Sequence, residues 1–204
     1  MIRYFSDKLT NYLIKSQSIE EEKRSFYQYG LEITLSTMLN IVLILIISVF
    51  FGNIIDGLVF LFVFITLRHL TGGYHANSYF FCNFWFSVCY ISLELLFSYT
   101  NTKLPILICV LITFLCLLII ALKCPIENPN KRIPPENRSK LKLMAIILAA
   151  VYEIIALLLQ VFKNRYGVFI LYTVLLVAIL VIVATLQKIL KGGKEYDSDT
   201  QNGS

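Results

Sequence analysis

Apolar residues in this chain run in long blocks rather than alternating with polar ones. A helix needs roughly 17 to 25 mostly apolar residues to cross the hydrocarbon of a bilayer. Six blocks meet that requirement, at residues 33–51, 54–70, 78–99, 104–122, 141–162 and 166–190. The first is free of charge, the third carries Glu94 among many aromatics, and the fifth carries Glu153. The second is the weakest, because Asp56 near one end and Arg68 near the other leave a short apolar centre. A tilted or re-entrant segment is an alternative for it.

Ahead of the first block, Ile2, Phe5, Leu9, Tyr12 and Leu13 recur at helical spacing, while Asp7, Lys8, Asn11 and Lys15 fall elsewhere. That pattern predicts an amphipathic helix lying on the membrane surface. Phe26, Tyr27 and Tyr29 then mark headgroup depth. The apolar run starts too late for a secretory signal, and no small-residue cleavage site follows it. Between the fourth and fifth blocks, residues 123–140 (KCPIENPNKRIPPENRSK) hold four prolines and a basic excess, which predicts an irregular, stiff, cationic loop. Residues 191–204 are polar and read as a disordered tail. The expected fold is an all-α membrane protein, about six transmembrane helices plus the N-terminal interfacial helix. It forms a single polytopic domain over 1–190, with 1–30 as interfacial helix and lead-in.

Composition strengthens the membrane reading: 57% hydrophobic residues and 15% charged lie outside the range of a soluble domain. Charge adds a topology, because Lys and Arg are retained on the cytoplasmic side of short loops. With the N-terminus inside, fifteen of the eighteen Lys and Arg fall on that face and only Lys103, Lys163 and Arg165 on the other. An odd number of crossings before residue 120 would scramble that bias. Both termini and the segment 68–82 are therefore expected in the cytoplasm.

The only two histidines, His69 and His75, stand just before Cys82 in RHLTGGYHANSYFFC, residues 68–82. Five cysteines, at 82, 89, 109, 116 and 124, do not suggest a disulfide framework. Cys89, Cys109 and Cys116 read as small apolar fillers, and Cys124 lies at the edge of the basic loop with no histidine nearby in sequence. On one continuous helix His75 and Cys82 would share a face but stand about 10.5 Å apart along the axis, too far for proton transfer. Gly72 and Gly73 allow tight backbone, and Asn77 or Ser78 is a good N-cap. The helix is thus expected to start after His75, which leaves the imidazole on a loop able to fold back over Cys82. There the helix dipole assists a thiolate modestly. A thiol beside an imidazole is the minimum apparatus for nucleophilic acyl transfer; the plainer alternative is an interfacial histidine and a packing cysteine. His69 reads as a headgroup or loop contact. A zinc site of His69, His75 and Cys82 lacks a fourth ligand. No GxxxxGK loop, HExxH, internal repeat or C-terminal lipidation signal occurs, and no metal, cofactor or nucleic-acid partner is expected.

The order of features, Arg68, Gly73, His75 and Cys82 as R-x4-G-x-H-x6-C, then NPNKRIPP in the basic loop, closely resembles the accessory gene regulator B (AgrB) family. Those are membrane cysteine endopeptidases of peptide quorum sensing in Gram-positive bacteria. The resemblance implies that Cys82 is the nucleophile and His75 its base. Arg68 and Gly73 match positions the family relies on, and Lys131 with Arg132 matches a basic patch after the fourth span. It further implies a plasma-membrane location and an AgrD-like propeptide substrate with an amphipathic helix, a central signal sequence and an acidic C-terminal segment. Removal of that segment accompanies closure to a thiolactone or lactone. A homodimer is compatible with these features.

Several residues keep two readings. Tyr79, Phe80, Phe81, Phe84, Trp85 and Phe86 either floor a water-poor pocket or pack against neighbouring spans and lipid. Lys131 and Arg132, bracketed by prolines, are candidate contacts for an acidic substrate segment, against a purely topological role. Arg68 serves the same purpose or stabilises an oxyanion. Glu94 and Glu153, ionisable groups inside spans, are functional candidates by default. A small transporter or scaffold with an incidental His/Cys pair is the alternative, although the polar stripe it needs is sparse.

Overall fold

The structure, a computed structural model, describes residues 2–16, 20–72, 79–100, 104–126 and 134–201. These residues form seven α-helices and no strand: α1 (Ile2–Lys15), α2 (Arg24–Phe50), α3 (Ile54–Thr71), α4 (Tyr79–Thr100), α5 (Ile106–Lys123), α6 (Pro135–Val161) and α7 (Arg165–Gln201). Six of them, α2 to α7, are long and apolar enough to cross a membrane. The weak second block is a helix of 18 residues over the whole of Ile54–Thr71. Its Asp56 is tolerated because it occupies the first turn, where a helix favours negative charge. Asn53 caps that turn: its Oδ1 accepts the Ile55 amide at 3.1 Å, and its Nδ2 donates to Asp56 Oδ1 at 2.8 Å.

The described residues divide into two compact units, one comprising residues 1–57 and 76–91, the other 58–75 and 92–204. In the first, α1 packs on α2 through its small polar residues. Ser6 and Thr10 are buried, whereas Tyr4, Phe5, Leu9 and Tyr12 face outward. Arg24 at the start of α2 donates to Asp7 Oδ1 at 2.9 Å and to Asn11 Oδ1 at 2.8 Å. The exposed apolar side of α1 is the one its sequence periodicity marks out for lipid. Helix α2 ends in a Schellman turn, with Gly52 at φ +85° and hydrogen bonds from Gly52 to Val49 and from Asn53 to Ser48. This closes the helix and reverses the chain into α3.

In the second unit α5, α6 and α7 pack together. Their contacts are lined by small or β-branched residues, among them Ala145, Ala149, Ala156, Val174, Val177, Ala178 and Val181, all buried. Between lipid-solvated helices no hydrophobic gain separates one apolar surface from another, so close packing and interhelical hydrogen bonds hold such a bundle. Thr66 and Tyr152 Oη are 2.8 Å apart, Tyr172 Oη donates to Thr100 Oγ1 at 3.0 Å, and Phe97 meets Phe169 edge to face at 5.2 Å.

Three boundaries differ from the sequence expectation. Helix α2 begins at Arg24, well before residue 33. Helix α6 begins at Pro135, inside the segment expected to be irregular, because a proline at the first helical position gives up no intrahelical bond and Glu136 follows in the favourable first turn. Helix α7 stays helical to Gln201, into the polar segment read as a disordered tail. Once a helix is nucleated each further residue adds a bond, and no proline interrupts that stretch.

Candidate functional site

Helix α3 stops at Thr71, where Gly72 at φ +69° leaves the helical conformation. Cys82 is the fourth residue of α4 and is half-buried. A thiol there feels the positive end of the helix dipole. Cys109, Cys116 and Cys124 are buried. Cys89 shares the half-burial of Cys82 but stands seven residues further into the helix, about 10.5 Å deeper along the axis. Burial pushes the Cys124 thiol up to about 12, even though Arg68 and Lys142 pull the other way, which makes it a poor nucleophile at neutral pH.

Gly73, His75 and the two candidate caps Asn77 and Ser78 lie outside the described residues, as do Lys131 and Arg132. His69, in the last turn of α3, is exposed, in keeping with a loop or headgroup contact. Of the aromatics proposed as an apolar floor, Phe81, Phe84 and Trp85 are more than half exposed. Phe84 and Trp85 meet edge to face at 6.0 Å on a surface a bilayer would cover.

The residue next to Cys82 has a defined environment. Asn83 is buried, and its Oδ1 accepts a hydrogen bond from Ser36 Oγ of α2 at 2.8 Å. Sequence reasoning passed over it; the available signal was a lone carboxamide within an aromatic run.

In the second unit, the ends of α3 and α5 are clipped together. The Ile126 amide donates to the Thr71 carbonyl at 2.9 Å, and Gly72 pairs with Ile126 in an isolated parallel bridge. Gly72 sits at φ +69°, and a Cβ there would fall on the Ile126 carbonyl. Gly72 leads into the His75 segment, and Ile126 into the segment with Lys131 and Arg132. The two stretches singled out in the sequence therefore leave the described fold from one junction. Arg68, half-buried, stands one turn before it, with its carbonyl accepting the Gly72 amide at 3.1 Å, close enough to Cys124 for its charge to act there.

The intramembrane carboxylates are both buried. Glu153 of α6 is fully enclosed beside Cys116 of α5, and no cluster of three or more His, Cys, Asp or Glu able to hold a metal occurs among the described residues.

Six helices long and apolar enough to cross a membrane, one of them with a half-buried cysteine in its first turn, define a multi-pass membrane protein. Residues 6–185 match the family described as Accessory gene regulator B, and the chain belongs to that family, whose members take part in processing an AgrD-like propeptide in quorum sensing. The chain is 23% identical to the protein FsrB of Enterococcus faecalis over 177 residues, 87% of this chain and 72% of that protein. An AgrB-like protein of Clostridium beijerinckii is 30% identical over 151 residues, 72% of this chain and 73% of the relative. A second AgrB-like protein, of Clostridium perfringens, is 26% identical over 159 residues, 72% of this chain and 74% of the relative. No solved structure matches the chain.

Proposed function

We propose that this protein is a membrane cysteine endopeptidase. It removes the C-terminal segment of an AgrD-like propeptide through a thioester on Cys82, and so enables the remaining peptide to close into a thiolactone, or a lactone where the substrate carries serine. The placement of Cys82, half-buried in the first turn of α4, supports this reading, because a helix start favours a thiolate. His75 takes the thiol proton. The thiolate attacks the scissile carbonyl, the C–S bond forms, and the C–N bond breaks as the imidazolium returns its proton to the leaving amine. The substrate's own thiol then attacks the thioester and releases Cys82. Exchange of one thioester for another is close to neutral, so ring closure depends on holding that thiol near the acyl carbon and keeping water away. Arg68 and Gly73 support the site, and Lys131 with Arg132 holds the acidic segment at the cytoplasmic face.

Cleavage of the propeptide in membranes tests the assignment. Cys82→Ala and His75→Ala should abolish it, whereas replacing Cys89, Cys109, Cys116 and Cys124 together with alanine should leave it largely intact. His69→Gln should be tolerated better than His75→Gln. Cleavage surviving Cys82→Ala would sink the proposal.

A further inference from the structure

We infer that Asn83 is a substrate-binding residue, whose side-chain amide donates a hydrogen bond to a main-chain carbonyl of the propeptide beside the bond that Cys82 attacks. Asn83 is 4% exposed and Ser36 is 6% exposed. Ser36 Oγ donates to Asn83 Oδ1 at 2.8 Å, which anchors the acceptor end of the carboxamide against α2. The donor end is different: Nδ2 is buried and has no hydrogen-bond partner among the described residues. A buried amide N–H left unpaired is destabilising, more so where water is scarce, and native structures satisfy the great majority of such groups. An anchored carboxamide with its donor unpaired, on the residue next to the proposed nucleophile, is a group awaiting an acceptor. Hydrogen bonding to a peptide carbonyl satisfies it.

The position of the amide says which carbonyl. Successive side chains on a helix diverge by about 100°, so the Asn83 amide flanks the Cys82 thiol rather than facing it. It therefore meets the carbonyl of a residue neighbouring the scissile bond, not the reacting carbonyl. Asn83 thus adds a binding contact beside the cleaved bond. The inference rests on Cys82 being the nucleophile.

The double variant Ser36→Ala/Asn83→Leu removes the polar pair while preserving its bulk. It should insert, melt at a temperature no lower than the parent because an unpaired buried donor is gone, and react with iodoacetamide at Cys82 at the parental rate. Its KM for the propeptide should rise about tenfold with kcat changed less than about twofold, the signature of a lost uniform binding contact. A purely structural amide gives the opposite result, lower stability with unchanged KM, and that outcome overturns the inference. Asn83→Asp, which keeps the acceptor for Ser36 and removes the donor, is measured alongside. It should show the same rise in KM, and a parental KM in either variant that inserts contradicts the role. Cys82→Ala runs in parallel. If it still cleaves, the nucleophile is wrong; if it is inert while the Asn83 variants keep the parental KM, only the role of Asn83 fails.

Discussion

A methyl group on Gly72 would meet the carbonyl of Ile126, in a backbone conformation that L side chains rarely adopt. Gly72→Ala should therefore open the clip between the ends of α3 and α5 and destabilise the protein by about 1–3 kcal/mol. Propeptide cleavage should fall at least tenfold, because both the His75 segment and the basic loop are rooted at that clip. Thermal unfolding in detergent and cleavage in membranes measure the two effects, and parental values in both would show that the clip is dispensable. The residues of the proposed dyad were legible in the sequence, since a lone histidine pair before one cysteine stands out in an apolar chain. The roles of Gly72 and Asn83 were not. Each depends on a partner far along the chain, Ile126 for one and Ser36 for the other, and no local pattern announces such a pairing. The glycine pair could be read only as permissive backbone.

At the scale of elements, the length of the apolar blocks identifies the six spans and locates the helix ends poorly. A run of apolar residues measures the hydrocarbon to be crossed, whereas helical hydrogen bonding continues as long as the backbone permits. That is why α2 and α6 begin earlier than their apolar blocks and α7 continues beyond its own. The end of α3 was legible for a different reason. Two glycines in sequence also signal a chain break chemically, and Gly72, at φ +69°, ends α3. The same element logic bears on the basic loop, which is bounded by the clip at Ile126 and by α6 at Pro135. If Lys131 and Arg132 hold an acidic substrate segment, reversing both charges should lower cleavage at least tenfold while the protein still inserts. Basic substitutions in the substrate's tail should restore part of the loss. Unchanged cleavage would return the two residues to a purely topological role.

For the whole molecule, the excess of Lys and Arg on one face sets a testable arrangement. Single cysteines placed at residues 75 and 131 in a background lacking the native thiols should react with a membrane-impermeant maleimide only after the cells are opened. A cysteine at residue 103 should react in intact cells. Labelling of residue 75 from outside would contradict both the topology and the access of a cytosolic propeptide. Membrane class and span number were legible at this scale because they follow from summed hydropathy. The division of the described chain into two compact units was not, since it rests on which helices touch, and in an apolar solvent composition says little about that.

Trapping the acyl-enzyme tests the central claim most directly. Membranes containing the parent protein are incubated with a propeptide whose internal Cys or Ser is replaced by alanine, so that ring closure is blocked, then quenched in acid and digested. Mass spectrometry should find the truncated peptide attached through a hydroxylamine-labile bond to the fragment containing Cys82, and no adduct in Cys82→Ala. An acyl group mapped to Cys124 or Cys89, or cleavage with no thioester at any cysteine, would contradict the account.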